Sequence, residues 1–331
     1  MKLSTLVCTL LVSFGTATCV RADLGDNAAL GYWQAFAQLP QFDEKDREVL
    51  LQWQKTDLEN DHVQELLKGS ESAVKLLVAA AKEKDCNWGL DKSQGALLLL
   101  PHLSKSRDIA RIAMLHARAK LVAGKSDQAI ADLSATTKLA KDCGQPPLLV
   151  STLVELSIKR GVQDWISDSA ERLSGQQRAA LLSEFDQMFP PARLSVSMAA
   201  EADFILTWLK TEVDNPTFLA GVGVGEDAEF PKGELFRPFM EKQLVLLEED
   251  YQEMIDAADG DLSLVKQTEK KLIDRARSEN RLLSSLLLPA LVSARAALDR
   301  SNAHAQKVRE SLLRLQGESV EAGAADETEQ N

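Results

Sequence analysis

SKSRDIARIAMLHARAKLVAGKSDQAIADLSATTKLAKDC, residues 104–143, decides the fold class. Alanine, leucine, lysine, arginine and glutamine recur through it, and all of these lose little on entering a helix. Ser104 is placed to cap a helix over 107–123, Gly124 breaks the chain, and a partner helix follows over 127–141. Ala117, Ala129 and Leu133 are small or apolar, which lets two antiparallel helices approach closely. The same composition recurs along the chain, and the ten prolines fall mostly between such stretches, where they mark helix ends. Alternating runs of β-branched residues are nearly missing, so the expected fold is all-α without a sheet.

On Ala117, Gly124, Ala129 and Leu133 the stretch resembles a tetratricopeptide hairpin, although a large residue usual near position 120 is Lys120 and the late alanine is Thr136. That resemblance implies an N-terminal lobe of α-solenoid-like helical hairpins. Upstream, Asn27 is positioned to cap a helix over 28–38, and Asp43 to cap a second with Asp46 three residues on. Further helices are expected over 57–68 and 72–84, the latter capped by Ser72, with a loop at Asn87-Trp88-Gly89 and a short helix to Leu100. Downstream, Pro147 opens a helix to about 172, Ser174 caps one ending at Met188, and another covers 192–213.

Residues 215–233 are crowded with glycine and proline and form the expected boundary between two lobes, 23–214 and 234–316. Beyond it Met240, Leu244, Leu247, Tyr251, Met254 and Ala258 alternate steps of four and three, as do Leu287, Leu291, Ala294, Leu298, Ser301, Ala305, Val308, Leu312 and Leu315. Such 3.5-residue spacing is a coiled-coil seam. With Gly260 ending one helix and Asp261 capping the next, the second lobe is expected to be a long antiparallel helical hairpin. From 317 onward only acidic charges occur and apolar residues run out, which predicts a disordered tail.

Lys2, an apolar stretch from Leu3 to Phe14 and small residues ending in Val20-Arg21-Ala22 read as a secretory signal peptide cut after Ala22. Thr16-Ala17-Thr18 before Cys19 lacks the large aliphatic residue of a lipid-anchor signal. The longest later apolar stretch, from Leu282 to Val292, is read as too short to cross a membrane. An exported protein of the periplasm or cell envelope is the expectation. The net charge of −12, from 50 acidic against 38 basic side chains, argues against nucleic acid as a partner, because binding it rests on neutralising phosphates.

Of the four cysteines, Cys8 and Cys19 leave with the signal. Cys86 and Cys143 remain, each closing a Lys-Asp-Cys triplet. Two thiols in an exported chain suit one disulfide, provided the helices that carry them lie parallel and in register. Two buried free thiols satisfy the same sequence.

Residues with chemistry are scattered. Glu59 and His62 form a Glu-x-x-His step, but a di-iron bundle needs a second step that the other histidines do not supply, so no metal and no cofactor is expected. Ser72-x-x-Lys75 and Ser278-x-Asn280 imitate fragments of a serine acyl-enzyme signature with no strand to complete it. Two candidate places stand out. His102, between helices in Pro101-His102-Leu103, is a candidate acid or base, and the loop at 215–233 carries Phe218 and Phe230 on glycines as candidate ligand-binding residues.

Asn27-Ala28-Ala29 with Tyr32-Trp33 and Ala35-Phe36, and the layout from Pro101-His102-Leu103 through Arg107, Ala117-Arg118-Ala119, Gly124 and Ala129 to Leu153-Val154, are similar to exported all-helical proteins of planctomycete-type bacteria. The resemblance implies an envelope location and a helical fold, and no activity. The expected function is non-catalytic: binding a protein, through helical surfaces, or a small ligand. The alternative is an enzyme with a site near His102 or under the 215–233 loop.

Overall fold

A computed structural model describes residues 27–215, 217, 219 and 231–329, with side chains described up to 318. The proposed signal peptide, Phe218 and Phe230 lie outside the described residues. Among the described residues there are twelve α-helices and no strand, so the chain is all-α.

Local capping explains most helix starts. α1, Ala28–Ala37, begins where Asn27 Oδ1 accepts from Ala29 N at 3.1 Å; the same side chain ties down Asn87, accepting its N–H at 2.8 Å. α2, Glu44–Leu51, opens on a capping box in which Asp43 and Asp46 exchange bonds of 3.0 and 2.8 Å. α3, Asp61–Ala80, is a single helix capped by Asn60, where the sequence reading had two helices and a Ser72 cap. Val63, Leu66, Leu67, Ser70, Ala73, Val74 and Leu77 form one buried stripe straight past Gly69, so packing overrides the local break. α4, Pro101–Val122, starts at its proline rather than at Ser104, whose hydroxyl donates to the Pro101 carbonyl at 3.2 Å. Gly124, at φ +73°, makes the turn into α5, Ser126–Cys143.

α6, Leu149–Ser169, α7, Gly175–Met188, and α8, Leu194–Glu212, follow, α7 opening on a Ser174–Gln177 capping box. α9, Phe236–Ala258, reverses through Gly260 into α10, Leu262–Ser278, which Asp261 caps. A short α11, Leu282–Leu287, precedes the long α12, Leu291–Glu329. The tail expected to be disordered is the end of α12.

Two apolar cores form, and they do not meet at residue 215. The first is built from α1 to α7 and takes in Val308 and Leu312 of α12; the second joins Leu149 and Leu156 of α6 to α8, α9, α10 and the start of α12. α12 leaves the expected hairpin and packs along α6 and α7, so α6 and α12 belong to both cores. The expected lobe boundary rests on a glycine- and proline-rich stretch, but the apolar faces on either side of it are shared.

The second core contains a buried charge network. Asp250, fully buried on α9, accepts from Arg275 and Arg281 at 3.0 Å each through Oδ1 and from the Ser284 hydroxyl at 2.6 Å through Oδ2. It thereby holds together α9, α10 and α11.

The apolar stretch that starts at Leu282 is longer than the sequence reading allowed. An 18-residue window there has a mean hydropathy of 1.4, which meets the length and composition of a membrane-crossing helix. The reading stopped at Val292, but alanine and leucine continue to Leu298. In the fold Leu288-Pro289-Ala290 divides this stretch between α11 and α12, and Leu283, Leu291, Ala294 and Leu298 are buried in the second core.

Candidate functional site

His102 does not sit in a site. It is fully buried in the first turn of α4, with its ring stacked on Trp88 at a centroid distance of 4.5 Å. Neither ring nitrogen has a hydrogen-bond partner, and burial lowers its pKa to about 4. It belongs to an aromatic cluster with Tyr32, Trp33, Phe36 and Trp88. No carboxylate orients it, so a proton-transfer role lacks its geometry.

His116, about two turns of α4 before the hairpin loop, has a serine partner. Its Nε2 lies 3.0 Å from Ser70 Oγ, and burial, followed by the nearby Lys120 charge, lowers its pKa to about 4. The Ser70 hydroxyl donates to the Leu66 carbonyl of its own helix at 2.7 Å. A serine that is fully buried and gives its proton to its own helix is not an activated nucleophile. Ser72 lies within α3, and Lys75 pairs with Glu71 at 2.7 Å.

Cys86 and Cys143 are both free thiols. Lys84-Asp85-Cys86 ends no helix: it lies beyond α3, where the Asp85 carbonyl accepts from Ala28 N at 2.7 Å. Cys143 does end α5, fully buried, so the two triplets do not close equivalent helices. Burial pushes the Cys86 thiol up to about 12 and Cys143 higher still.

A cleft able to hold a small molecule was not singled out from the sequence. A cleft of about 490 Å³ opens between the segment that starts at Lys92, the turn Pro146-Pro147-Leu148 and one face of α8. On α8, Ala200, Phe204, Thr207, Trp208 and Thr211 recur at helical spacing and line it. Pro146, Pro147, Phe204 and Trp208 give it apolar walls, while Lys92, Asp203 and Thr207 are exposed around it. Volumes of 300 to 1,000 Å³ with apolar walls and few polar groups are typical of small-molecule sites.

Each wall is fixed. Glu201, on the adjacent face of α8, accepts from Leu149 N at 2.8 Å and so caps the start of α6; burial raises its pKa while that bond lowers it. Thr152 and Ser197 share a buried hydroxyl bond of 2.8 Å between the same two helices. The outer wall is the 3₁₀ turn Lys92–Leu97, begun by Asp91, which accepts from Ser93 N and Oγ at 3.1 and 2.6 Å. Gly95 in that turn has φ +53° and lies against Trp208, where a Cβ would come within 1.8 Å of the indole. Only glycine supplies both the backbone and the space. The fold thus presses a loop onto a tryptophan that also faces the cleft.

No protein-family model matches the chain, and no characterised protein or solved structure matches it either.

Proposed function

We propose that this chain is an exported, non-catalytic helical protein of the cell envelope that binds a small, largely apolar ligand in the cleft of α8. The cleft carries the proposal: about 490 Å³ walled by Pro146, Pro147, Phe204 and Trp208 between elements held in place by Glu201 and Asp91. Of the two places an enzyme reading offers, His102 is sealed in an aromatic cluster without a partner, and the 215–233 loop lies largely outside the described residues. Export rests on the charged, apolar and small-residue order of residues 1–22, the likeness to envelope proteins of planctomycete-type bacteria on the residues named above, and solenoid-like stacking on the α4–α5 hairpin.

Titration with the fluorescent apolar probe 1-anilinonaphthalene-8-sulfonate tests the cleft. Wild type is expected to bind one equivalent, and Thr207→Trp, which fills the cleft from its exposed side, to weaken binding about tenfold or more. Equal binding by both proteins would overturn the cleft as the seat. N-terminal sequencing of envelope material tests export; a chain starting at Asp23 is expected, and one starting at Met1 refutes it.

A further inference from the structure

A second feature lies where the starts of α2 and α3 meet, His62 of α3 reaching Asp46 of α2. The capping box at the head of α2 occupies one oxygen of each of its two aspartates: Asp43 Oδ1 accepts from Asp46 N at 2.8 Å, and Asp46 Oδ2 accepts from Asp43 N at 3.0 Å. The box leaves the other oxygen of each carboxylate outside it, and the Lys45 backbone N–H also donates to Asp43. His62, in the first turn of α3, brings its Nε2 to 3.1 Å from Asp46 Oδ1, the oxygen of that residue outside the box. The three side chains place a donor atom each within 4.8 Å of one another.

Two observations separate this group from an ordinary acidic helix start. One donor is an imidazole from a different helix, so the set is mixed in chemistry and built by tertiary packing. In addition, His62 Nε2 is itself out of contact with solvent and makes no hydrogen bond, although a carboxylate oxygen is 3.1 Å away. The contact has the length but not the alignment of a hydrogen bond. Two ligands held at about 2.0 to 2.2 Å on one tetrahedral zinc ion lie about 3.3 to 3.6 Å apart, without pointing at each other, so the 3.1 Å pair opens by a few tenths of an ångström to share an ion. The Glu59-x-x-His62 step considered in the sequence therefore names the right histidine, but its partners come from α2.

We propose that Asp43, Asp46 and His62 form a binding site for a divalent transition metal of the zinc class, with one imidazole nitrogen and two carboxylate oxygens as protein ligands and water completing the shell. The imidazole favours zinc-like ions over calcium or magnesium, which prefer oxygen alone. The capping box presets both carboxylates, and a groove of about 420 Å³ between α2 and α3 reaches the same histidine. Metal binding there links the starts of the two helices.

Chelator-stripped full-length protein, titrated with zinc chloride against a chromogenic zinc indicator, tests the site. One saturable equivalent is expected, with affinity lowered about tenfold or more in both His62→Gln and Asp46→Asn and unchanged in His304→Gln. Asp46→Asn keeps an oxygen for the capping bond, so its loss of affinity is separable from misfolding, which circular dichroism of each variant checks. Zinc is also expected to raise the Tm of wild type and not of His62→Gln. Absence of a saturable equivalent, equal uptake by His62→Gln, or loss of uptake on alkylating the cysteines instead would each overturn the assignment.

Discussion

Gly95 lies flat against the indole of Trp208, so close that a Cβ would fall 1.8 Å from Cδ2. At φ +53° the glycine also holds a backbone conformation that alanine adopts poorly. Gly95→Ala is expected to cost about 2 to 4 kcal/mol, or to lift the 3₁₀ turn off α8, because the contact is with a ring and cannot be relieved by a rotamer. Urea denaturation measures the first outcome, and altered probe affinity with a shifted tryptophan emission reports the second. A variant indistinguishable from wild type in both would show that the turn is not seated on Trp208.

Acid is expected to destabilise the protein through its buried histidines. His102 and His116 have pKa values of about 4 in the fold against an ordinary 6.5. Between those limits the unfolded chain holds more protons, so stability falls as pH drops from about 6.5 and levels off below about 4, by up to a few kcal/mol for each ring. Glu201 and Asp132, whose pKa values burial raises, act in the opposite sense and offset part of this loss. His102→Phe keeps the stack on Trp88 and removes two unpartnered nitrogens. It is expected to match or exceed wild-type stability at pH 7 by about 1 kcal/mol and to lose less on going to pH 4.5. Denaturant midpoints at the two pH values decide it; a large loss at pH 7 would mean that the ring is bonded after all.

Asp250 is the common anchor of three helices. Asp250→Ala leaves Arg275 and Arg281 partly buried without it, and is expected to cost about 3 to 5 kcal/mol. Replacing the surface partner Glu241 of Arg237 is expected to change stability by less than about 1 kcal/mol. Thermal denaturation of both variants compares the two.

The cysteines give a chemical test of the first core. Cys86 is half-buried and Cys143 fully buried, both with thiols held in the protonated form at neutral pH. Brief iodoacetamide labelling of native protein, read by peptide mass spectrometry, is expected to modify Cys86 slowly and Cys143 only after denaturation. A Cys86–Cys143 crosslinked peptide from unreduced protein would contradict the free-thiol state.

Features that act within one turn of chain were readable in the sequence. Asn27, the Asp43–Asp46 pair, Ser174 and Asp261 cap helices where expected, and the seam through Met240, Leu244, Leu247, Tyr251, Met254 and Ala258 is buried as its spacing implied. Features that need a partner distant in sequence were not. Gly69 and Ser72 read as a break and a cap, yet the stripe from Val63 to Leu77 carries α3 past them. The cleft brings together Lys92, Pro147 and Phe204, three positions with no common pattern, and its only local trace was a glycine in Lys92-Ser93-Gln94-Gly95. His102 drew attention by its place beside a proline, and nothing local indicated that Trp88 would cover it.

The placement of Val308 and Leu312 inside the first core bears on how the chain is made. A nascent chain that has produced α1 to α7 but not α12 has an apolar trough along α6 and α7 that its own later residues are meant to fill. Folding of the earliest helices therefore waits on nearly the last ones to be synthesised, and the chain remains incompletely packed until then. Truncation before Val308 would not yield a smaller independent domain: it would leave the trough open to other chains, with aggregation rather than partial function as the outcome.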